Sequence, residues 1–545
     1  MLLLTTLLIS IILTVVLMPY ARALACKLQA VDEPDSRKIH EGLMPRCGGM
    51  AMAVGAMTPI VLWVPMTPFI KGLLIGTLII VLFGMADDIN DLKPHTKLAG
   101  QLAAAMVAIL VGGVKISDLG DFLPAGMMLP DWAAIPLTAF VIVGVTNATN
   151  LSDGLDGLAG GIALLIFIGI GYLSGSEKNM LFVLISIAVG GSVLGFLRFN
   201  SHPAQLFMGD AGSQFLGFVA IVLSITLTQQ NAHLSPIVPM ILLGVPIMDT
   251  LTVMFRRLAK GCSPFAADRT HFHHQLMTMG FFHTEAVLTI YVAQAALILV
   301  AVIFPSSNDW LLLGSYLCFS VVVVGSFHLV RRTGYRINRD TLVNPIKMRL
   351  KPLKDRGRII KVSFRMVKYG VPLILLFNVL VPTPEAEYRL LYSAGLLGLL
   401  VFALILSKQV FGRFLKFGLF LLTPFLIYRC DQSVYLLMSP AFIALYNLSY
   451  LILLMSVLLT MKLTRRTRGF KSSPMDFLVI FVILLIPNLP DTTFSDFRLG
   501  LVAAKTVILF YSYEVLIGEL RRKSFVLPIS AAVILLGIKV LVLYM

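Results

Sequence analysis

The run KGLLIGTLIIVLFGMADDINDL, residues 71–92, leads an apolar segment straight into three carboxylates, Asp87, Asp88 and Asp91. No charge interrupts it between Lys71 and Asp87. Crossing the hydrocarbon core takes about 20 mostly apolar residues, so the segment near 69–86 reads as a membrane span stopped by its own acidic end. On a helix, residues three and four apart are neighbours, which would let Asp87, Asp88 and Asp91 share a face. Like charges that close repel unless a cation or a proton lies between them. A solvated helix end would explain the charges alone; a Mg²⁺ or phosphate site would explain their number and spacing.

The rest of the chain follows the same pattern. Of its 545 residues 58% are hydrophobic and 13% charged, far from the composition of soluble domains. Roughly eighteen stretches are long and apolar enough to span. The fold class this implies is all-α, a polytopic transmembrane helix bundle. About eleven spans fall near 2–19, 46–64, 69–86, 98–114, 134–147, 158–174, 180–197, 213–229, 237–255, 286–304 and 310–330. About seven more fall near 369–383, 390–407, 415–428, 434–461, 475–488, 499–517 and 526–544. Between the two sets lies a basic connection, Arg331 to Lys368, holding 13 Lys or Arg against Asp340 and Asp355. The division reads as 1–331, a basic cytosolic linker at 332–368, and a C-terminal extension at 369–545.

The net charge of +16 could signal nucleic acid, but the basic residues concentrate in alternate loops, as the positive-inside rule requires. They are topology signals, and no nucleic-acid partner is inferred. Leu2 to Met18 lacks a preceding Lys or Arg and reads as an uncleaved span with its N-terminus outside. In the extension, Glu385, Glu387, Asp431, Asp491 and Asp496 fall on outer loops. The five cysteines show no pairing or metal spacing and read as free thiols.

With that topology, the unusual polar clusters of the first part all land on the inner face. Charged groups near membrane depth are costly and usually functional, so their convergence marks a site. Gly144 to Ala159 sets Asn147, Asn150, Asp153 and Asp156 at a strict spacing of three, along a helical face or around a tight turn. Gly154 and Gly157 allow close approach of a ligand. Met208-Gly-Asp-Ala-Gly-Ser213 places Asp210 between glycines just before a span, where free backbone N–H groups favour phosphate. Taken alone it could be a turn. Asp268-Arg-Thr-His-Phe-His-His-Gln275 gathers His271, His273 and His274 beside Arg269. Adjacent imidazoles suit tetrahedral zinc poorly, whereas imidazoles with an arginine make a clamp for a diphosphate.

Carboxylates, an Asn/Asp comb and a His/Arg clamp at one membrane face describe phosphoryl transfer from a soluble diphosphate to a lipid. The chain resembles the polyprenyl-phosphate N-acetylhexosamine-1-phosphate transferase superfamily over roughly residues 1–331. Val31 to His40 with Pro45-Arg-Cys-Gly-Gly49 is similar to that family's first cytosolic loop. Asp91 after the Asp87–Asp88 pair and the His-X-His-His form at 271–274 resemble its N-acetylglucosamine branch; the muropeptide branch usually has lysine at the Asp91 position. The resemblance implies an enzyme that moves N-acetylhexosamine 1-phosphate from a UDP-N-acetylhexosamine to undecaprenyl phosphate, releasing UMP, as the first step of cell-envelope polysaccharide assembly. It implies Mg²⁺, with Mn²⁺ as the alternative, held by Asp210. Asp87, Asp88 and Asp91 would be catalytic, with Asp87 and Asp88 orienting or deprotonating the acceptor phosphate. Asn147, Asn150, Asp153 and Asp156 would hold the nucleotide, and Arg269, His271, His273 and His274 the diphosphate and sugar. It further implies an inner-membrane location, a cytosolic active site and a homodimer. The rival reading is a transporter or flippase for polyprenyl-linked lipid, but transporters set their polar sites near the midplane rather than at span ends. The extension has no counterpart in the family pattern and reads as a scaffold, a partner-binding module or a carrier-handling unit.

Overall fold

The computed structural model describes residues 2–32, 44–124, 126–263, 270–333, 358–381, 423–424, 426–463 and 499–519. Those through 333 belong to one compact unit and those from 358 to a second. Inside a bilayer every backbone N–H and C=O must find a partner within the chain, so apolar segments fold as helices. All eleven stretches read as spans in the first unit are helical.

They are α1 (Leu2–Lys27), α2 (Gly48–Trp63), α3 (Pro68–Asn90), α4 (Pro94–Leu110), α5 (Asp131–Leu151), α6 (Leu158–Ser176), α7 (Met180–Asn200), α8 (Asp210–Gln230), the pair α9 (Val238–Leu242) and α10 (Gly244–Leu258), then α12 (His283–Ile303) and α13 (Asp309–Thr333). A short α11 (Phe272–Thr278) precedes α12. Eight of these helices are long and apolar enough to cross a membrane, and the protein is an integral membrane protein. Two-residue strands, β1 (Val31–Asp32) and β2 (Met44–Pro45), pair antiparallel beside the start of α2.

α8 is the central post, enclosed along its apolar length by α2, α3, α5, α6, α7 and α9. Glycines permit this density: a Cβ on Gly49 would lie 2.2 Å from the Gly212 nitrogen, and one on Gly84 2.4 Å from Ala211 Cα. Small residues at helix crossings let backbones approach where lipid gives no hydrophobic drive.

The stretch 237–255, read as one span, is broken at Leu243. Pro246 lacks the N–H that would bond the Leu242 carbonyl one turn back, so that carbonyl is orphaned. Gln294 of α12 satisfies it, donating Nε2 to Leu242 O at 2.7 Å while its Oε1 accepts from Val245 N at 3.3 Å. The Tyr316 hydroxyl donates to Gly244 O at 2.9 Å.

The second unit contains α14 (Arg358–Leu380), helical residues 426–437, α15 (Pro440–Leu463) and α16 (Leu499–Glu519). α15 carries a further segment able to span. The stretch 434–461 is not one helix: the chain breaks before Pro440, which starts α15 at the position where a missing N–H costs nothing. Asp431, read as an outer-loop charge, is instead buried on a helix. The spans read at 390–407, 475–488 and 526–544 lie outside the described residues. All five cysteines are free thiols.

Candidate active site

The acidic end of α3 is built into the first turn of α8. Asp88 accepts hydrogen bonds from the backbone of Asp210 at 2.9 Å and of Ala211 at 3.2 Å, one on each carboxylate oxygen. The first N–H groups of a helix have no partner within it, and a carboxylate there also meets the positive end of the helix dipole. Gly209, at φ 74°, turns the chain so that these N–H groups face Asp88, and a Cβ on it would lie 2.5 Å from that carboxylate.

The three carboxylates do not share a face. α3 ends at Asn90, and Asp91 adopts a left-handed φ of 45° as its C-cap. That turn swings the Asp91 side chain outward, 94% exposed and 3.7 Å from the Arg46 guanidinium. Arg46 also pairs with Asp32 of β1. Asp87 stays buried, accepting from Leu92 N at 2.7 Å.

Across from Asp87 stands Asp210. Lys97, near the start of α4, bonds Asp87 and lies 3.4 Å from Asp210 Oδ2. The same Oδ2 accepts from Asn150 at 3.3 Å and from Gln214 at 3.5 Å, while Ser213 donates to Asn150 Oδ1. Below them Gln101, one turn after Lys97, bonds Asn147 at 2.7 Å and Gln214 at 3.0 Å. Four helices, α3, α4, α5 and α8, thus converge on one cationic group between two carboxylates.

The Asn/Asp comb is divided by the end of α5. Asn147 and Asn150 lie on its last turns, whereas Asp153 and Asp156 occupy the turn leading to α6, which closes at Gly157 with φ 80°. Burial, then the charges of Asp210 and Asp156, push the Asp153 carboxyl up to about 7. Asp156 Oδ2 is 2.7 Å from His202 Nδ1 and accepts from Ala204 N at 3.1 Å. Its backbone N–H donates to His283 Nε2 at 3.1 Å. Asp156, His202 and His283 bring their donor atoms within 4.8 Å of one another. The two rings, however, stack at 4.1 Å and 20°, so their in-plane lone pairs run side by side instead of meeting at an ion. The group is a hydrogen-bonded hub for the turn.

The histidine segment packs on that turn. A Cβ on Gly154 would fall 2.2 Å from His273 Nε2, so the glycine is what admits the ring. His271 Nδ1 is 2.9 Å from Asp249 Oδ2, and Asp249 Oδ1 accepts from Phe272 N at 2.9 Å, tying the segment to α10. His273 stacks beside His271 and meets the His274 ring at a tilt of 42°. Burial first, then the neighbouring imidazoles, hold His273 down at about 3, so it is neutral at physiological pH.

Asp87, Asp88, Asn147, Asn150 and Asp210 therefore form one hydrogen-bonded cluster, and Asp153, Asp156 and His271 to His274 adjoin it at the turn. Asp91 is set apart, and Arg269 lies outside the described residues. Lys97, Gln101, His202, Gln214, Asp249 and His283 belong to the arrangement but escape a reading of the sequence. Lys97 and Gln101 do stand one turn apart at the start of an apolar helix, which is the signal that could have found them. The carboxylate oxygens of Asp87 and Asp210, already arranged around a lysine cation, fit a hard divalent ion such as Mg²⁺.

Comparison with known proteins gives a consistent answer. The profile of glycosyl transferase family 4 matches residues 70–228, which hold every carboxylate of the cluster. A probable undecaprenyl-phosphate N-acetylglucosaminyl 1-phosphate transferase of Bacillus subtilis (strain 168) is 36% identical over 318 residues, 58% of this chain and 88% of that protein. An undecaprenyl-phosphate alpha-N-acetylglucosaminyl 1-phosphate transferase of Yersinia pestis is 32% identical over 54% of this chain and 84% of its own. A decaprenyl-phosphate N-acetylglucosaminephosphotransferase of Mycobacterium leprae is 35% identical over 49% of this chain and 75% of its own.

Proposed function

This chain belongs to glycosyl transferase family 4, and from that premise we propose that it transfers N-acetylglucosamine 1-phosphate from UDP-N-acetylglucosamine to undecaprenyl phosphate, releasing UMP. The observation that carries the reading is the cation-centred cluster of Asp87, Lys97, Asn150 and Asp210 at the tip of a buried helix. Its relatives are named as N-acetylglucosamine 1-phosphate transferases of undecaprenyl or decaprenyl phosphate, which supports this choice of substrates. The location is the bacterial inner membrane, with the site on the cytosolic face where a UDP-sugar is found; a homodimer accords with the family.

In this reading an oxygen of the lipid phosphate attacks the β-phosphorus of the donor, the β-phosphorus to α-phosphate oxygen bond breaks, and UMP departs. Asp87 and Asp210 would hold Mg²⁺, with Asn150 orienting Asp210 through its amide N–H, and the ion would supply charge neutralisation for the developing phosphate oxygens. Asp88 acts through position: with both oxygens engaged on the helix end, it fixes Asp210 and does not reach for substrate. Lys97 would offer a positive charge to the phosphates. Neutral His273, seated on Gly154, donates or accepts hydrogen bonds to the diphosphate or sugar. Asp153 and Asp156 face the nucleoside.

The test is UMP release by the purified full chain from UDP-N-acetylglucosamine with undecaprenyl phosphate and Mg²⁺. Release that requires the lipid and the metal and falls at least about 100-fold in Asp210→Asn supports the reading. Release from a different UDP-sugar only would change the donor. Silence with every UDP-sugar from folded protein would end it.

A further inference from the structure

One turn deeper than the cation-centred cluster, three of its helices carry a second polar layer. Gln101 stands one turn after Lys97 on α4, Gln214 one turn after Asp210 on α8, and Asn147 one turn before Asn150 on α5. Gln101 and Gln214 are each 3% exposed, in a part of the bundle where apolar side chains would be buried without the cost of desolvating an amide. Asn147 Nδ2 donates to Gln101 Oε1 at 2.7 Å. Gln101 Nε2 donates to Gln214 Oε1 at 3.0 Å and to Asn147 Oδ1 at 3.1 Å. Gln214 Nε2, the last member, donates to Asp210 Oδ2 at 3.5 Å, a Gln–Asp pair four residues apart on one helix. The other Asn147 hydrogen goes to Val143 O at 3.2 Å in its own helix.

The direction of this ladder is set at its Asp210 end. An ionised carboxylate only accepts, so Gln214 must turn its NH₂ toward Asp210 and its carbonyl toward Gln101. Gln101 must then offer its NH₂ to Gln214, which leaves its carbonyl for Asn147. Each amide fixes the next, and turning any one over would set two donors or two acceptors face to face. The effect at the top is orientation. The carboxylate torsion of an aspartate is broad by itself, and a donor held from below narrows it. The same count bears on Asn147: an amide has two donor hydrogens, and both of these are used inside the bundle, so none is left for a nucleotide.

We propose that Asn147, Gln101 and Gln214 are positioning residues, an amide ladder that holds the Asp210 carboxylate in the orientation a divalent cation needs, with Asn147 serving as its far end instead of holding the nucleotide. The inference rests on the function proposed above. The three side chains reach the reaction through Asp210 alone.

The experiment uses the purified full chain with Mn²⁺ as the probe, free ion being read by electron paramagnetic resonance and Asp210→Asn giving the blank. UMP binding by calorimetry runs in parallel. Gln214→Met and Gln101→Met keep the side-chain length and lose the amide; each should weaken Mn²⁺ binding about tenfold and leave UMP binding within about twofold of wild type. Links of one chain fail together, so the double variant should lose little more than the worse single one. Asn147→Ser, at a half-buried position, should also weaken Mn²⁺ and spare UMP, and it carries the test if the buried methionines prevent folding. Unchanged Mn²⁺ binding in the variants, losses that add in the double variant, or an Asn147→Ser protein that loses UMP and keeps Mn²⁺ would each overturn the proposal. Wild type that holds no Mn²⁺ overturns it as well, since the ladder would then have nothing to orient. Failure of the transferase reading registers separately, as Mn²⁺ bound by wild type without UMP release from any UDP-sugar.

Discussion

Lys97→Met removes the ammonium between Asp87 and Asp210 while keeping much of the apolar stem. A hydrogen bond to a charged group contributes about 1.5–3 kcal/mol net. Lys97 reaches two carboxylates, but its side chain is 34% exposed and water screens part of the gain. A loss of about 2–3 kcal/mol in metal-free protein follows. Mg²⁺ restores the missing positive charge at the same oxygens, so the deficit should shrink to under about 1 kcal/mol in its presence. Thermal unfolding of both proteins in detergent, in EDTA and in excess Mg²⁺, measures the two gaps. The variant should also respond to Mg²⁺ at lower concentration than wild type, because ammonium and metal no longer compete. A gap that Mg²⁺ leaves unchanged, or a variant as stable as wild type in EDTA, would refute the placement of the metal against Asp87 and Asp210.

Further outcomes follow from the turn at 152–157. Gly154→Ala should displace the His273 ring, which lies 2.2 Å from the added carbon, raising KM for the UDP-sugar about tenfold at little change in kcat; steady-state kinetics with both substrates unchanged would remove His273 from the donor site. His273 titrates near 3 when folded against about 6.5 when unfolded, so its contribution to stability is complete above about pH 6.5 and is lost as pH falls toward 3. At pH 5 that amounts to about 2 kcal/mol, and His273→Gln should show a correspondingly shallower loss of stability between pH 7 and 5 by thermal unfolding.

The helices of the first unit were legible because apolar length is dictated by the bilayer and written locally. The break at Leu243 was not, since its cause, Pro246, reads like any tolerated membrane proline until Gln294 and Tyr316 are seen filling the gap. The same distinction runs through the site. Asp88 and Asp210 stood out as charges beside apolar runs, but their relation, side chain to backbone across 122 positions, has no local trace. Lys97 passed among the basic residues read as topology signals, and Asp249 lay unremarked inside a stretch read as a span. Equal spacing left helix face and tight turn open at Asn147 to Asp156, and the chain uses both, because the glycines that admit His273 and close the turn also follow the end of the helix.

Asp88 joins two helices that also pack closely at Gly84 against Ala211 and at Gly76 against Phe218, and it does so at the backbone of Asp210, the residue that carries the cluster's own carboxylate. The end of α3 and the tip of α8 must therefore move as one body. α3 is exposed on part of its apolar surface, whereas α8 is buried throughout. A change in bilayer thickness that tilts α3 is thus delivered to Asp210 as a shift along its own axis. Reconstituted into lipids of graded chain length, the enzyme should show an optimum thickness, and Asp88→Ala, which cuts the link, should flatten that dependence relative to its own lower maximum.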